Sequence, residues 1–156
     1  MDTNLILRRA TMDDAKILLD WRNDVETRAF SLHHNAITWN EHVAWLSRSL
    51  KNLNRILCIA EISGNPIGTV RADRNQDSSF EISYTIAPLS RGKGMGKKMV
   101  LQFADEVLAG CRITAKIKRG NISSENIARA LGLHPLHSDE PSAKDTSKDT
   151  QIVKWQ

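Results

Sequence analysis

Residues 90–98 read SRGKGMGKK, three glycines and four cations in nine positions. The segment follows an alternating apolar run and precedes a helical pattern. Unpaired N–H groups at a helix N-terminus, together with the helix dipole, favour an anion. Glycine lets the backbone approach a ligand closely and take a positive φ. Arg91, Lys93, Lys97 and Lys98 add positive charge, so a phosphate group is the expected guest. Two common phosphate loops do not fit. A Walker A loop needs Gly and Ser/Thr where this chain has Arg91 and Lys98. A dinucleotide fingerprint needs GxGxxG in a parallel βαβ unit, whereas Gly92, Gly94 and Gly96 give GxGxG after strands that read as antiparallel. The spacing that is met is Arg-x-x-Gly-x-Gly, with Arg91, Gly94 and Gly96.

The elements that must position this loop are legible in the pattern. LILRR (5–9) reads as a strand, and Thr11 with Asp13 and Asp14 as the start of a helix carrying Ala15, Leu18, Leu19 and Trp21. TWNE (38–41) has capping-box spacing, and Trp39, Val43, Leu46 and Leu50 behind it predict a core-facing stripe. RILCIAEI (55–62) and IGTVRA (67–72), joined by SGNP, predict a hairpin. SFEISYTIA (79–87) alternates, with Phe80, Ile82, Tyr84 and Ile86 on one face and Glu81, Ser83 and Thr85 on the other. Met95, Met99, Phe103 and Val107 mark a helix running to Gly110. RITAKIK (112–118) is a further strand, NISSENIARALG (121–132) a short helix, and IVKW (152–155) a strand that could close the sheet. The order predicts a mixed α/β (α+β) domain, its mostly antiparallel sheet of about six to seven strands flanked by about four helices.

In this setting the chain resembles the GNAT superfamily of acetyl-CoA-dependent N-acetyltransferases. The resemblance rests on Arg-x-x-Gly-x-Gly between an alternating strand and an amphipathic helix, on FEISYTIAP, and on Asn121 followed by Leu131-Gly132-Leu133. It implies a GNAT-like fold and acetyl-CoA as co-substrate, with no metal. By position, it implies that Arg91, Gly92, Lys93, Gly94, Met95, Gly96 and Lys97 hold the pyrophosphate of coenzyme A. Thr85, Ile86 and Ala87 would bond the pantetheine arm along a strand edge, with Asn121 beside it. The chemistry implied is direct attack of an amine on the thioester. An alkylamine with a pKa near 10.4 is mostly protonated at neutral pH and must lose a proton, and Glu81 is the expected base. Relatives often carry a tyrosine seven residues after the Asn to protonate the leaving thiolate; here that place is Ala128, and the only tyrosine, Tyr84, is assigned to the core face. A dedicated general acid is therefore left open.

The acceptor is expected to meet the first two helices and the segment between them. WRND with the later EHVAW resembles acetyltransferases that modify nucleotide-linked amino sugars in surface-glycan biosynthesis. A cationic patch with ring surfaces, Arg22, Arg28, His33, His34 and Trp39, could receive a phosphorylated sugar, and Arg28 and His34 are the expected substrate contacts. Trp39 also fits a core stripe, and Lys116 and Lys118 also fit a solvated strand edge. The alternatives are acetylation of a protein N-terminus, as in ribosomal-protein acetylation, or a non-catalytic acyl-CoA-sensing module.

Composition limits the other classes. The 156 residues predict a single domain over 1–156, with 137–150 an exposed polar loop. A net charge of +4 suits a polyphosphate-bearing small molecule as well as nucleic acid, but the cations form no long run and one tyrosine and three phenylalanines leave little to stack on bases. No nucleic-acid partner is expected. No apolar run approaches the roughly 20 residues of a membrane span, and the acidic opening MDTNLILRRAT lacks the order of a secretory signal, so a cytoplasmic protein is expected. Cys58 and Cys111 form no metal-type pair and are expected as buried thiols. A homodimer is left open.

Overall fold

In a computed structural model, which describes residues 4–31, 35–136 and 152–156, six strands form one sheet in sequence order. These are β1 (Leu5–Arg9), β2 (Arg55–Ile62), β3 (Asn65–Arg74), β4 (Phe80–Ile86), β5 (Ile113–Lys118) and β6 (Ile152–Trp155). Every neighbouring pair is antiparallel except β4–β5, which is parallel. Five α-helices cover the sheet: α1 (Ala15–Asn23), α2 (Val25–Phe30), α3 (Trp39–Lys51), α4 (Met95–Glu106) and α5 (Ile122–Ala130). The expected mixed fold is present, with one helix more than anticipated. The extra helix arises because Asp24 breaks from α1 and caps α2, its carboxylate accepting the Thr27 N–H at 3.1 Å.

The helices fall on opposite faces of the sheet. Met99, Val100 and Phe103 of α4 and Ile127 and Ala128 of α5 pack on one face with Val70, Ala72, Ile82 and Ala115. Ala15, Leu18 and Trp21 of α1 and Leu46 of α3 pack on the other with Leu57 and Ile59. β4 obeys its alternation: Ile82 is buried in the first cluster, and Phe80, Tyr84 and Ile86 lie against it. Its polar residues lie on the other face, the side of α1.

Three details depart from expectation. On α3 the buried residues are His42, Leu46 and Ser49, while Trp39 is 51% exposed and Leu50 lies outside the core. Two polar residues can take the inward face because each has a partner: His42 Nε2 donates to the Ala15 carbonyl at 2.8 Å and Ser49 Oγ accepts from Arg55 Nη1 at 2.8 Å. The turn after β2 is the two-residue Ser63-Gly64, both at positive φ, so Asn65 and Pro66 belong to β3. Helix α4 ends at Glu106, before Gly110, which leaves Cys111 exposed in the following turn while Cys58 is buried.

Candidate active site

The parallel pairing of β4 with β5 covers only Phe80–Ile82 against Ile113–Ala115. Beyond it the strands part, and a cavity of about 820 Å³ opens between the two helical layers, large enough for a drug-sized ligand. Its wall includes Ser83, Tyr84, Thr85 and Ile86 of β4, the glycine loop, the start of α5, and residues of α1, α2, α3 and β3.

The register shows which backbone groups face the gap. Ala87 N–H donates to the Ile67 carbonyl of β3 at 2.8 Å, which makes Ile86–Gly68 a non-hydrogen-bonded pair. By alternation Tyr84 and Ile86 turn their N–H and C=O groups away from β3 towards the space β5 has left, whereas Thr85 is paired with Thr69. Of the three expected backbone contacts, then, Ile86 has the free edge. Thr85 offers its side chain to the cavity, and Ala87 does not line it.

The glycine loop fits an anion. Gly92 and Gly94 take φ of 75° and 74°, and nothing lies within 4 Å of where a side chain would begin. The amides of Met95, Gly96 and Lys97 form the first turn of α4 and have no helical carbonyl to bond. Gly96 serves another purpose: a Cβ there would meet Ile86 at 3.3 Å and Ile127 at 3.5 Å, so it lets the helix start seat tightly on β4 and α5. Arg91, Gly92, Gly94, Met95, Gly96 and Lys97 all line the cavity, whereas Lys93 is exposed outside it. The side chain of Arg91 is engaged elsewhere. It donates to Asp24 Oδ2 and Thr27 Oγ1, both at 2.7 Å, and to Glu26 Oε2 at 2.9 Å, tying the loop to α2. That guanidinium holds the Asp24 carboxyl below the usual carboxylate range.

Asn121 caps α5, with Oδ1 accepting the Ser124 N–H at 3.4 Å, and lines the cavity. Ala128 occupies the place of the relatives' tyrosine and is 2% exposed. One turn earlier on the same helix face, Ser124 Oγ shares a 2.6 Å hydrogen bond with the Tyr84 hydroxyl, and both line the cavity. Burial pushes the Tyr84 phenol up, so it stays protonated.

Glu81 lines the cavity on the α1–α3 side, with Lys116 Nζ at 3.4 Å. Lys118 also lines it and donates to the Ala29 carbonyl at 3.2 Å, so neither lysine belongs to a plain solvated edge. Of the expected acceptor contacts, Arg28 lies on α2 outside the wall, its Nε buried without a hydrogen bond, and His34 with its neighbour His33 lies outside the described residues. Trp39 does not line the cavity. Arg22 does, and beside it stand Arg71 and Trp45, which the sequence reading did not single out. Arg71 was detectable in principle: Thr69, Arg71 and Asp73 alternate with buried residues and pair across β4 with Thr85, Ser83 and Glu81. Among the described residues no group of three or more His, Cys, Asp or Glu could hold a metal, and no helix is long and apolar enough to cross a membrane.

The sheet opens beside a glycine loop at a helix start, with the Glu81 carboxylate on the facing wall. The acetyltransferase (GNAT) domain family matches residues 4–134, and the chain belongs to that family. Among solved structures it is similar to the spermidine N-acetyltransferase of Vibrio cholerae in complex with CoA and spermine, with 16% identity, TM-score 0.83, and 99% and 95% of the two chains covered. It is also similar to the ribosomal-protein-alanine N-acetyltransferase of Brucella melitensis, with 20% identity, TM-score 0.78, and 96% and 97% covered. An uncharacterized protein of Methanocaldococcus jannaschii is 24% identical over 137 residues, which are 84% of this chain; the match spans only 28% of that relative's length.

Proposed function

We propose that the chain acetylates a small, negatively charged primary amine, with a nucleotide-linked amino sugar as the best-fitting class. The observation that carries this reading is the charge of the wall. Among the described lining residues Arg22, Arg71, Arg91, Lys97, Lys116 and Lys118 are six cations against two lining acids, Glu26 and Glu81, with Asp24 and Asp73 behind them on Arg91 and Arg71. A polycation such as the spermine held by the Vibrio cholerae relative would be repelled by that field, whereas a phosphate-bearing acceptor would be drawn in.

The division of labour follows from the geometry. The amides from Gly92 to Lys97 would hold the pyrophosphate, and the Ile86 and Tyr84 edge, with Asn121, the pantetheine arm. Bound acetyl-CoA supplies an activated acyl carbon and a thiolate leaving group. Glu81 takes the proton that the attacking amine must lose through bridging water, since it stands five residues before Ile86 on β4. The Ile86 N–H, turned into the gap, donates to the acyl oxygen as charge develops there. The Tyr84 hydroxyl, hydrogen-bonded to Ser124 and kept neutral by burial, stands near the place vacated by Ala128 and returns a proton to the departing sulfur.

The test is release of free thiol from acetyl-CoA with three acceptors: an aminodeoxy UDP-sugar, spermine, and a peptide with N-terminal alanine. Turnover with the UDP-sugar alone is expected. Turnover with the peptide alone would favour a protein acetyltransferase, and CoA binding with no turnover on any acceptor would favour a sensing module. Tyr84→Phe is expected to cut kcat about 10-fold or more while leaving CoA affinity unchanged; an unchanged kcat would remove the phenol from the mechanism.

A further inference from the structure

Two arginines flank one ring at the α1–α3 end of the cavity, and a third stands near them. The Arg22 guanidinium lies 5.1 Å from the Trp45 ring centre and that of Arg55 5.9 Å from it. His42 stacks on the same ring with centroids 5.7 Å apart. Arg71 reaches the same region from β3, close enough that its charge bears on Arg22.

The negative charge available to them is small. Asp73 takes Arg55 Nε at 2.6 Å and Nη2 at 3.4 Å, and Arg71 Nε at 3.2 Å. The last contact lacks the alignment of a hydrogen bond, so Arg71 Nε is buried and unsatisfied. Glu81 is paired with Lys116. Arg22 has no acid partner and donates no hydrogen bond among the described residues. One carboxylate, Asp73, therefore serves two guanidiniums and none serves the third, and of the three Arg22 and Arg71 line the cavity. Burial and the neighbouring arginines pull Arg22 below its ordinary pKa, and burial does the same to Arg71, a sign of cations held without enough counter-charge. Buried charges are normally paired, and guanidinium groups match the planar fork of an oxyanion.

We infer that Arg22 and Arg71 form an oxyanion subsite for the acceptor, holding a phosphate or carboxylate that the acceptor carries beside its amine. The inference rests on the acetyl-transfer reading and narrows it. Arg71 pairs with Ser83 and is thus diagonal to Glu81 on the neighbouring strand, about 7–8 Å away along the sheet. A side chain at that position reaches the stretch of cavity between Glu81 and Ile86, so the charge belongs near the amine rather than at the end of a long tail. Trp45, under Arg22, keeps that guanidinium extended and aimed into the cavity.

The first measurement uses protein saturated with CoA, so that the glycine loop is filled, and titrates inorganic phosphate against tryptophan fluorescence. A saturable change is expected, lost in Trp45→Phe and weakened about 10- to 100-fold in Arg22→Gln and Arg71→Gln. In turnover, Arg71→Gln should lower kcat/KM for an aminodeoxy UDP-sugar by a similar factor and leave unchanged that for the same amino sugar without its phosphates. A merely structural arginine would change both acceptors alike. Absence of a saturable phosphate response in the loaded wild-type protein, or a wild-type response in both arginine variants, would overturn the subsite. If CoA itself does not bind, the reading of function falls. Phosphate titration of the unloaded protein then decides the subsite separately: weakening by Arg71→Gln supports it, and indifference to Arg71→Gln sinks it.

Discussion

On the β4–α4–α5 side of the cavity, the groups offered to a ligand are mostly backbone: the amides of the glycine loop and the edge of Tyr84 and Ile86. On the α1–α3–β3 side they are side chains, Arg22, Trp45, Arg71 and Glu81, drawn from four separate elements. Backbone sites depend on chain conformation, which glycine spacing and strand register fix locally. Side-chain sites depend on tertiary packing and can change their ligand by changing one residue. One wall thus suits a co-substrate common to a family, and the other an acceptor particular to this chain. Arg91 links them, since it stands in the loop and its side chain binds Asp24, Glu26 and Thr27 next to the acceptor wall.

The comparison can be broken most forcefully at Glu81, where the two walls meet. Glu81→Gln should lower kcat about 100-fold or more at neutral pH. The deficit should shrink as the pH rises towards the amine's own pKa near 10.4, where free amine is plentiful. A deficit that does not vary with pH would take Glu81 out of the proton transfer. Next in size, Gly94→Val forces a branched side chain into a left-handed backbone at φ 74°. It should weaken CoA binding about 10-fold or more, at a conformational cost of about 1–2 kcal/mol plus the displaced amides, with little change in phosphate binding at Arg22 and Arg71. Smaller still, Asp24→Ala releases Arg91 and should raise the KM of both substrates a few-fold, since it alone acts across the two walls; a change confined to one KM would show that the link carries no coupling.

Asp14→Asn is the control away from the site. Its carboxylate takes Arg8 Nη1 and Nη2, each at 2.8 Å, and the Thr11 N–H at 2.8 Å. The variant should lose about 1–3 kcal/mol of stability at neutral pH without changing kcat. Arg8 depresses the folded-state pKa of Asp14, so this contribution is complete above the ordinary carboxylate value of 3.8 and disappears as the pH falls through the lower folded value. Denaturant melts of the two proteins should therefore converge at acid pH.

The same contrast explains what could be read from the sequence. Arg-x-x-Gly-x-Gly, the alternation from Phe80 to Ile86 and the Asn121 cap are local patterns, and each lies where it was expected. The acceptor wall was harder because its members are distant in sequence and their orientation depends on packing. Trp39 and Trp45 are six residues apart on one helix, yet burial of His42, whose Nε2 donates to the Ala15 carbonyl, turns Trp45 inward and leaves Trp39 exposed. Arg28 and Arg22 are likewise six apart, and the break at Asp24 sends Arg28 onto a separate helix. Backbone register, invisible without β3 beside β4, keeps Ile86 of the expected Thr85, Ile86 and Ala87 on the free edge and adds Tyr84.

The most direct measurement is calorimetric titration of CoA into three proteins: wild type, Gly94→Val and Arg71→Gln. The account predicts one site per chain in the wild type, weakened at least about 10-fold by Gly94→Val and unchanged by Arg71→Gln. Equal affinity in wild type and Gly94→Val, or a loss in Arg71→Gln as large as that in Gly94→Val, would contradict the division of the cavity into a backbone-held co-substrate and a side-chain-held acceptor.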